Sequence, residues 1–405
     1  MPARVSPTPT RFRLLCDRAN QQVLLWLNGP TSFKPARGIT VTEPLRLGLV
    51  GADASGRGWG PVAHMPALAG LEEIELAAVC TSRLESADAA SEAFGIPAFH
   101  DVRELAAQPD IDIVSVVVRV PRHRDVVVPA LEAGKHVFSE WPLGANLAEA
   151  EEMAALARSK GVVTAVGLQG RNDPTLAYVK ELHDEGWLGE LLTVNVTMFG
   201  GGALGHNSSE AWMGDNANGA NTMTIVAGHT LDQIAHCFGA FTAVSGKIAV
   251  QVPQWKLADT GETIDVDAPD NIAVNATLAT GALVSYQAAT VPNHATGWRL
   301  EAFGTEGTLK ATTAALPQIT PIVLKGARGD DPLVEMDVPD RLNVVPDGFP
   351  FGPARNVGGT YRRMAEAIRG RGSYLPDFDH AVKVHRLLDA IERSSAEGRT
   401  IQVGS

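Results

Sequence analysis

The sequence predicts a doubly wound α/β domain followed by an α+β domain whose sheet is open and mainly antiparallel. Three observations carry that expectation. From Leu45 onward, short apolar runs alternate with helix-like stretches at the pace of βαβ units. The first of these runs ends in a glycine-rich turn placed ahead of a helix. After about Arg171 the rhythm changes to long β-type runs interrupted by glycine turns, the mark of hairpins in an antiparallel sheet.

In chain order, Leu45–Gly51, Ile74–Cys80, Ile111–Val118, His136–Phe138 and Val162–Val166 read as buried parallel strands, because both faces of such strands must be apolar. Leu84–Phe94, Val126–Ala133 and Leu147–Lys160 are helix-like and supply right-handed crossovers. Beyond them come a helix near Thr175–Glu185 and the β-type runs Leu191–Met198, Thr242–Val252, Asn271–Thr290 with a Thr280-Gly281 turn, and Trp298–Ala311 with a Glu306-Gly307 turn. Helical periodicity returns at Tyr361–Arg369 and His380–Glu397. The chain therefore divides into an N-terminal extension of uncertain order at 1–44, a doubly wound domain at 45–170, and an α+β domain with C-terminal helices at 171–405. In the extension, the apolar run Val23–Leu27 is cut off by Asn28-Gly29-Pro30 and is too short for a membrane helix or a secretory signal. A misassigned start codon would also account for this stretch.

Composition narrows the function classes. The chain has 405 residues, 45% hydrophobic and 20% charged, which argues against disorder. Its 46 acidic and 34 basic side chains give a net charge of -12, a poor match to nucleic acid or an anionic membrane. Cys16, Cys80 and Cys237 lie far apart with no C-x-x-C pair, so neither a disulfide framework nor a metal site is expected, and a reducing cytoplasm fits. The expected partner is a small molecule.

The turn after the first strand reads Gly51-Ala52-Asp53-Ala54-Ser55-Gly56-Arg57-Gly58-Trp59-Gly60. A strand, a glycine turn and a helix N-terminus together make an anion site suited to a dinucleotide pyrophosphate. Gly51 and Gly56 take the outer positions of G-x-G-x-x-G, with Ala52, Gly58 and Trp59 completing the cradle, but Asp53 stands where the middle glycine belongs. Either the longer loop aims Asp53 away, or the turn binds the cofactor weakly or is merely structural. The tip of the second strand carries Thr81-Ser82-Arg83 in place of the acidic residue that would bind a ribose 2′-hydroxyl, which favours NADP over NAD. The alternative is that Arg83 is only a solvated residue at a helix start.

The run Ala130-Leu131-Glu132-Ala133-Gly134-Lys135-His136-Val137-Phe138-Ser139-Glu140-Trp141-Pro142-Leu143 resembles the A-L-x-A-G-K-H-V-x-x-E-K-P-L signature of the Gfo/Idh/MocA oxidoreductases, and Gly304-Thr305-Glu306-Gly307 resembles a second family segment. The resemblance implies a Rossmann domain, an open antiparallel sheet, and NAD(P)-dependent oxidation or reduction of sugars and polyols. Two departures stand out. The lysine that the family uses for proton transfer is Trp141 here, and the first aspartate of D-x-G-x-H-x-x-D is Ile225. An indole has one N–H donor and no basic nitrogen, so Trp141 could stack on a sugar ring or close the nicotinamide pocket, but could not shuttle a proton. Glu140-Trp141-Pro142-Leu143, Gly167-Leu168-Gln169-Gly170-Arg171 and Gly228-His229-Thr230-Leu231-Asp232 resemble the branch containing the fungal galactose-regulon repressor and its bacterial relatives.

The resemblance makes His229 the candidate general acid/base, with Asp232 beside it in a second rank. Val120, Pro121 and His123, after the third long strand, are expected to flank the nicotinamide. Glu140 either contacts the nicotinamide ribose or forms a structural salt bridge. Gln169 is expected to reach the cofactor, Arg171 the substrate, and His206, Asn207 and Trp212 fall in a Gly- and Asn-rich loop suited to a lid over a polyol. The expected function is hydride transfer between NADP or NAD and a carbinol carbon of a sugar-like or cyclic polyol. The alternatives are a catalytically silent dinucleotide-binding sensor and an enzyme that uses NAD(P) for transient oxidation in elimination or glycoside cleavage. A homodimer or homotetramer is expected through the outer face of the second sheet.

Overall fold

The computed structural model describes residues 43–405 except Asp53, Phe351, Leu375 and Ser405. The extension read over 1–44, but for its last two positions, and Asp53 of the glycine turn lie outside the described residues. The first sheet contains β1 (Leu45–Val50), β2 (Ile74–Cys80), β3 (Ala98–Phe99), β4 (Ile113–Val116), β5 (His136–Ser139) and β6 (Thr164–Val166). Their order is β3-β2-β1-β4-β5-β6, with every pair parallel. Strand order reverses between β1 and β4, and at their carboxyl ends this fold leaves its ligand crevice.

Both faces of the first sheet are covered. Leu47, Leu49, Ile113 and Phe138 face one apolar cluster, while Val50, Val114, Val116 and Val137 face another. On the second of these faces lie α3 (Val102–Ala106), α4 (His123–Glu132) and α5 (Leu147–Lys160). Gly48 admits α3 closely, since a Cβ there would stand 2.8 Å from the Leu105 side chain. Asn146 Oδ1 accepts the Glu149 amide at 3.0 Å to start α5, and Gly161 in the left-handed region ends it.

The other face is covered by residues from the opposite end of the sequence. α1 (Met65–Ala69) continues a helical stretch begun at Gly60–His64, and α2 (Leu84–Phe94) follows β2. Beside α1 lies α8 (Pro353–Ile368), which follows α6 (Pro174–Asp184) and α7 (Gly228–Phe238) in the chain. Ala354, Val357, Tyr361, Met364 and Ala365 of α8 form the apolar stripe of an amphipathic helix and pack into the cluster with Leu47, Leu49 and Phe138. The helix begins earlier than the Tyr361–Arg369 periodicity suggests. Its first half carries Gly358 and Gly359, whose missing side chains make room for Phe349 and for Val344 with Asn172. α9 (Phe378–Glu397) packs against α5 of the first domain and against the second sheet.

That second sheet has nine strands: β7 (Leu191–Gly201), β8 (Phe241–Ala249), β11 (Asn271–Leu278), β12 (Leu283–Val291), β13 (Gly297–Gly304), β14 (Gly307–Thr313), β15 (Val323–Arg328), β16 (Val334–Glu335) and β17 (Ile401–Gln402). They run in the order β16-β15-β14-β13-β7-β12-β11-β8-β17, and β7 pairs parallel with β12 while the other pairs are antiparallel. A separate hairpin joins β9 (Gln254–Lys256) to β10 (Thr263–Asp265). The β13–β14 turn sits one residue earlier than the glycine suggested, at Thr305-Glu306. Gly307 instead opens β14 against Trp187, where a Cβ would stand 2.8 Å from the indole.

Along β7, Val194, Val196 and Met198 point into the core and Asn195 points outward. The outer face is largely polar. Leu283, Phe303 and Val323 stand there among Asn195, Asn275, Ser285 and Gln287, with Glu301 linking Arg299 at 3.8 Å and Lys310 at 3.5 Å. The apolar surface on which expected self-association rests is therefore small.

If α8 belongs to the core of the first domain, Met364→Ala leaves a buried cavity and costs about 2–5 kcal/mol of stability. Urea denaturation would show a lower midpoint with an unchanged slope.

Candidate functional site

The site is built around the end of β1. The Gly51 amide donates to Cys80 O at 3.0 Å, and the chain turns there with φ +107°. A Cβ on Gly51 would lie 2.1 Å from Val117 O, so both conformation and space demand glycine. Gly60, which opens the helical stretch, sits so that a Cβ would be 3.0 Å from Gly51 O. The first helix thus starts directly over the strand end, with Pro61 in its first turn. Gly56 and Gly58 adopt left-handed φ values of 67° and 92° in open space. Ala52 is buried and can offer only its backbone, whereas Trp59 has a buried Nε1 with no hydrogen-bond partner. These features form a glycine cradle at a helix N-terminus, an arrangement that fits a pyrophosphate.

From this cradle a cleft of about 850 Å³ runs past Gly51, Thr81, Ser82, Arg83, Arg103 and Arg119. Its arginines are not equivalent. Arg122 is 3.3 Å from Asp125, Arg124 holds Glu152 with two hydrogen bonds of 2.7 Å, and Arg103 is 4.0 Å from Asp101. Among the described residues no carboxylate lies within ion-pair distance of Arg83, which is exposed beside exposed Ser82. Thr81 is committed locally: its hydroxyl donates to Arg83 O at 3.2 Å and lies 2.7 Å from Ser86 Oγ.

At the carboxyl ends of β4 and β5 the expected residues sort into wall and foundation. Val120 is buried and Pro121 half-buried in a short helical turn. His123 does not reach the site surface. It is buried, with Nδ1 2.8 Å from Pro142 O and Nε2 3.0 Å from Val118 O, so it ties together the loops after β4 and β5; burial lowers its pKa. Glu140 is partly exposed and accepts from His64 Nε2 at 2.9 Å.

Trp141 is buried and does not present a face for a sugar. Its Nε1 donates to Thr224 O at 2.9 Å, its ring packs against Gly228 where a Cβ would be 2.6 Å away, and His385 lies 4.8 Å from it. The stacking role expected for it is corrected accordingly, and closure of the pocket is the role its position fits. Gln169 is buried with Oε1 unpartnered.

His229 and Asp232 share the first turns of α7 but have different surroundings. His229 is 6% exposed and makes no hydrogen bond within the described residues. Burial lowers its pKa to about 4 against the opposing pull of Glu140 and Asp232, so the ring is neutral near pH 7. Asp232 is buried, and its carboxylate accepts from Arg171 Nε at 2.8 Å and Nη2 at 2.6 Å, and from His380 Nε2 at 2.6 Å. Burial alone would raise its pKa, but Arg171 and His380 outweigh burial and lower it. With both oxygens occupied, Asp232 anchors α7 to the loop after β6 and to α9 and is not free to react. Arg171 belongs to the same anchor, which replaces the substrate contact expected for it.

The lid-like segment is also anchored. The imidazole of His206 stacks on Trp255 at 3.5 Å, and Ser208 is held through Asp259 of the β9–β10 loop. Asn207 starts the short helix Ser208–Gly214 by exchanging bonds with Glu210. Arg119 donates to Ser209 O at 3.1 Å and lies over Trp212 at 5.3 Å, which joins the segment to the cleft's edge. His206 therefore supports the segment, and Trp212 is the member beside the cleft.

Three residues escaped sequence reading: His64, Ser115 and Tyr361, which back Glu140 from three different elements. Only the position of His64, shortly after the glycine turn, offered any signal. Among the described residues no group of His, Cys, Asp or Glu is placed to hold a metal, and no helix is long and apolar enough to cross a membrane.

Fold and site together define a two-domain protein of the dinucleotide-binding Rossmann class. Residues 45–168 match the oxidoreductase family with an NAD-binding Rossmann fold, and residues 174–313 match the C-terminal domain of Gal80p. The chain is 35% identical to dehydrogenase aclE of Aspergillus oryzae over 245 residues, covering 58% of this chain and 67% of that protein. It is 27% identical to the galactose/lactose metabolism regulatory protein GAL80 of Saccharomyces cerevisiae, covering 59% of each chain. The solved complex of levoglucosan dehydrogenase with NADH and levoglucosan shares the fold at a TM-score of 0.77 and 23% identity, over 89% of this chain and all of that one. The protein belongs to the Gfo/Idh/MocA oxidoreductase family.

Buried histidines make stability depend on pH. Burial lowers the pKa of His229, His236 and His385 from 6.5 to about 4 in the folded protein. The unfolded chain takes up these protons first, so stability is complete above about pH 6.5 and is lost as pH falls toward 4. Denaturation at pH 5 should show lower stability than at pH 7.5. In His385→Phe, which keeps an aromatic ring against Trp141, that difference should shrink.

Proposed function

We propose that the protein is an NAD(P)-dependent oxidoreductase that moves a hydride between the nicotinamide ring and a carbinol carbon of a sugar-like or cyclic polyol substrate, with NADP preferred. The observation that carries this reading is a cleft at the carboxyl ends of β1, β2 and β4, lined by Arg83, Ser82 and Gly51 of the glycine cradle. The dinucleotide supplies the hydride acceptor or donor when bound. Amides of the Gly51–Gly60 turn bind its pyrophosphate, while Ser82 and Arg83, which has no carboxylate partner among the described residues, receive the 2′-phosphate. Glu140 holds the nicotinamide ribose. Trp141 and His385 fill the space beneath and keep water out.

His229, neutral and without a hydrogen-bond partner in the described residues, accepts the carbinol proton or returns it. A ring whose pKa is about 4 is a weak base, so the substrate's own polarisation and solvent must share the work of the missing lysine. The same observation, together with the indole that fills the lysine's place, favours one second reading: a regulatory protein that responds to a bound dinucleotide, the GAL80 relative being named a regulatory protein. In either case a dimer or tetramer would use the outer face of the second sheet, and light scattering would report it.

Titration of nicotinamide fluorescence measures the cofactor step. Arg83→Ala should weaken NADPH on the order of tenfold and leave NADH nearly unchanged. On a panel of sugars and polyols, His229→Ala should lower kcat on the order of 100-fold or more. Tight dinucleotide binding with no turnover on any panel member would favour the regulatory reading, and unchanged turnover in His229→Ala would remove that residue from the reaction.

A further inference from the structure

Glu140 is the outermost member of a buried hydrogen-bonded row that joins four elements of the first domain's fold. Its Oε1 lies 2.9 Å from His64 Nε2, His64 Nδ1 lies 2.6 Å from the Tyr361 hydroxyl, and that hydroxyl lies 2.8 Å from Ser115 Oγ. His64, Tyr361 and Ser115 are fully buried, while Glu140 remains partly open. The row draws on α1's leading helical stretch, on β4, on the end of β5, and on α8 from the other end of the chain.

Donors and acceptors can be assigned in one consistent direction. A carboxylate only accepts, so His64 Nε2 carries the hydrogen it donates to Glu140. With a single ring hydrogen placed on Nε2, Nδ1 is an acceptor, and Tyr361 O–H donates to it. The Tyr361 oxygen accepts in turn from Ser115 O–H. In this arrangement each hydroxyl and ring hydrogen in the row is used, whereas a ring with its single hydrogen on Nδ1 would leave the carboxylate facing a lone pair. The row fixes the tautomer of His64 and thereby the rotamer of Glu140.

The neighbouring backbone keeps space for the second carboxylate oxygen. A Cβ on Gly167 would stand 2.5 Å from Glu140 Oε2. Aromatic contacts hold the row's middle in place, with Tyr361 5.0 Å from Phe138 and 5.6 Å from His64 between ring centres.

We propose that Tyr361, acting through His64, is a positioning residue for Glu140, and that helix α8 thereby sets the affinity of the nicotinamide end of the dinucleotide. This inference rests on the cofactor reading above. It assigns to a residue on α8, far along the chain from the glycine turn, a role in ligand binding that requires no contact with the ligand. Tyr361→Phe is the informative change, because it keeps the ring contacts and removes only the hydroxyl.

The test combines two measurements on the full chain. Nitrogen-15 NMR of the histidine side chains, without ligand, should show His64 as the Nε2–H tautomer in the unaltered protein and as a mixture in Tyr361→Phe. Calorimetric titration with NADPH should show affinity reduced on the order of tenfold in Tyr361→Phe. Glu140→Gln should weaken binding as well, and the double variant should be no weaker than Glu140→Gln alone. If Tyr361→Phe does not fold, Ser115→Ala, which removes the last donor, should move both readouts in the same direction by less. NADPH affinity in Tyr361→Phe equal to that of the unaltered protein, or effects that multiply in the double variant, would overturn the inference and leave the cofactor reading intact. No NADPH binding by the unaltered chain would overturn the cofactor reading and this role with it.

Discussion

The indole of Trp141 packs directly against the backbone of Gly228, and the geometry of the candidate site follows from that contact. No side chain fits at residue 228, since even a Cβ would come within 2.6 Å of the ring. The first turn of α7 is therefore drawn onto the end of β5, and the next residue, His229, is brought toward the carboxyl edge where Glu140 stands. Trp141 is held on its other sides by the Thr224 carbonyl and by His385. A lysine in this position would have offered a mobile ammonium to the substrate. The indole offers volume and rigidity, and leaves His229 as the group proposed to handle the proton.

Electrostatics divide the same region into a part that binds and a part that holds. The chain as a whole is acidic, yet the cleft beyond Gly51 is lined by arginines, and Arg83 among them has no carboxylate partner in the described residues. A short distance away, Arg171 is fully engaged by Asp232 and His380 in a nearly dry environment. Removing one member of such a buried group leaves a charge without a partner, which costs about 3–5 kcal/mol. The first arginine stands at the cleft, and the second joins α7 to the loop after β6 and to α9.

Much of this was legible in the sequence, for identifiable reasons. Parallel strands buried on both faces are continuous apolar runs, so β1, β2, β4 and β5 declared themselves, and the glycine turn declared the crevice. The E-W-P-L segment located both the carboxylate and the residue that replaces lysine. Partnerships between distant residues were not legible. Nothing in the local sequence says that Asp232 faces Arg171 and His380, or that His64 meets Tyr361 across 297 positions. The start of α8 was hidden because Gly358 and Gly359 serve close packing and weaken the helical pattern. His123 has the position of a pocket residue in the sequence, but its ring is buried with both nitrogens facing backbone carbonyls rather than the cleft.

The proposed dinucleotide site runs from Arg83 through the glycine cradle to Glu140 and His229, with Trp141 closing its floor. A crystal structure of the protein with NADPH tests this most directly. The expected result is the 2′-phosphate at Ser82 and Arg83, the pyrophosphate over Gly51, and the nicotinamide between Glu140 and His229, with the Trp141 ring unmoved against Gly228. Dinucleotide bound elsewhere, or an indole displaced from Gly228 to admit the nicotinamide, would contradict it.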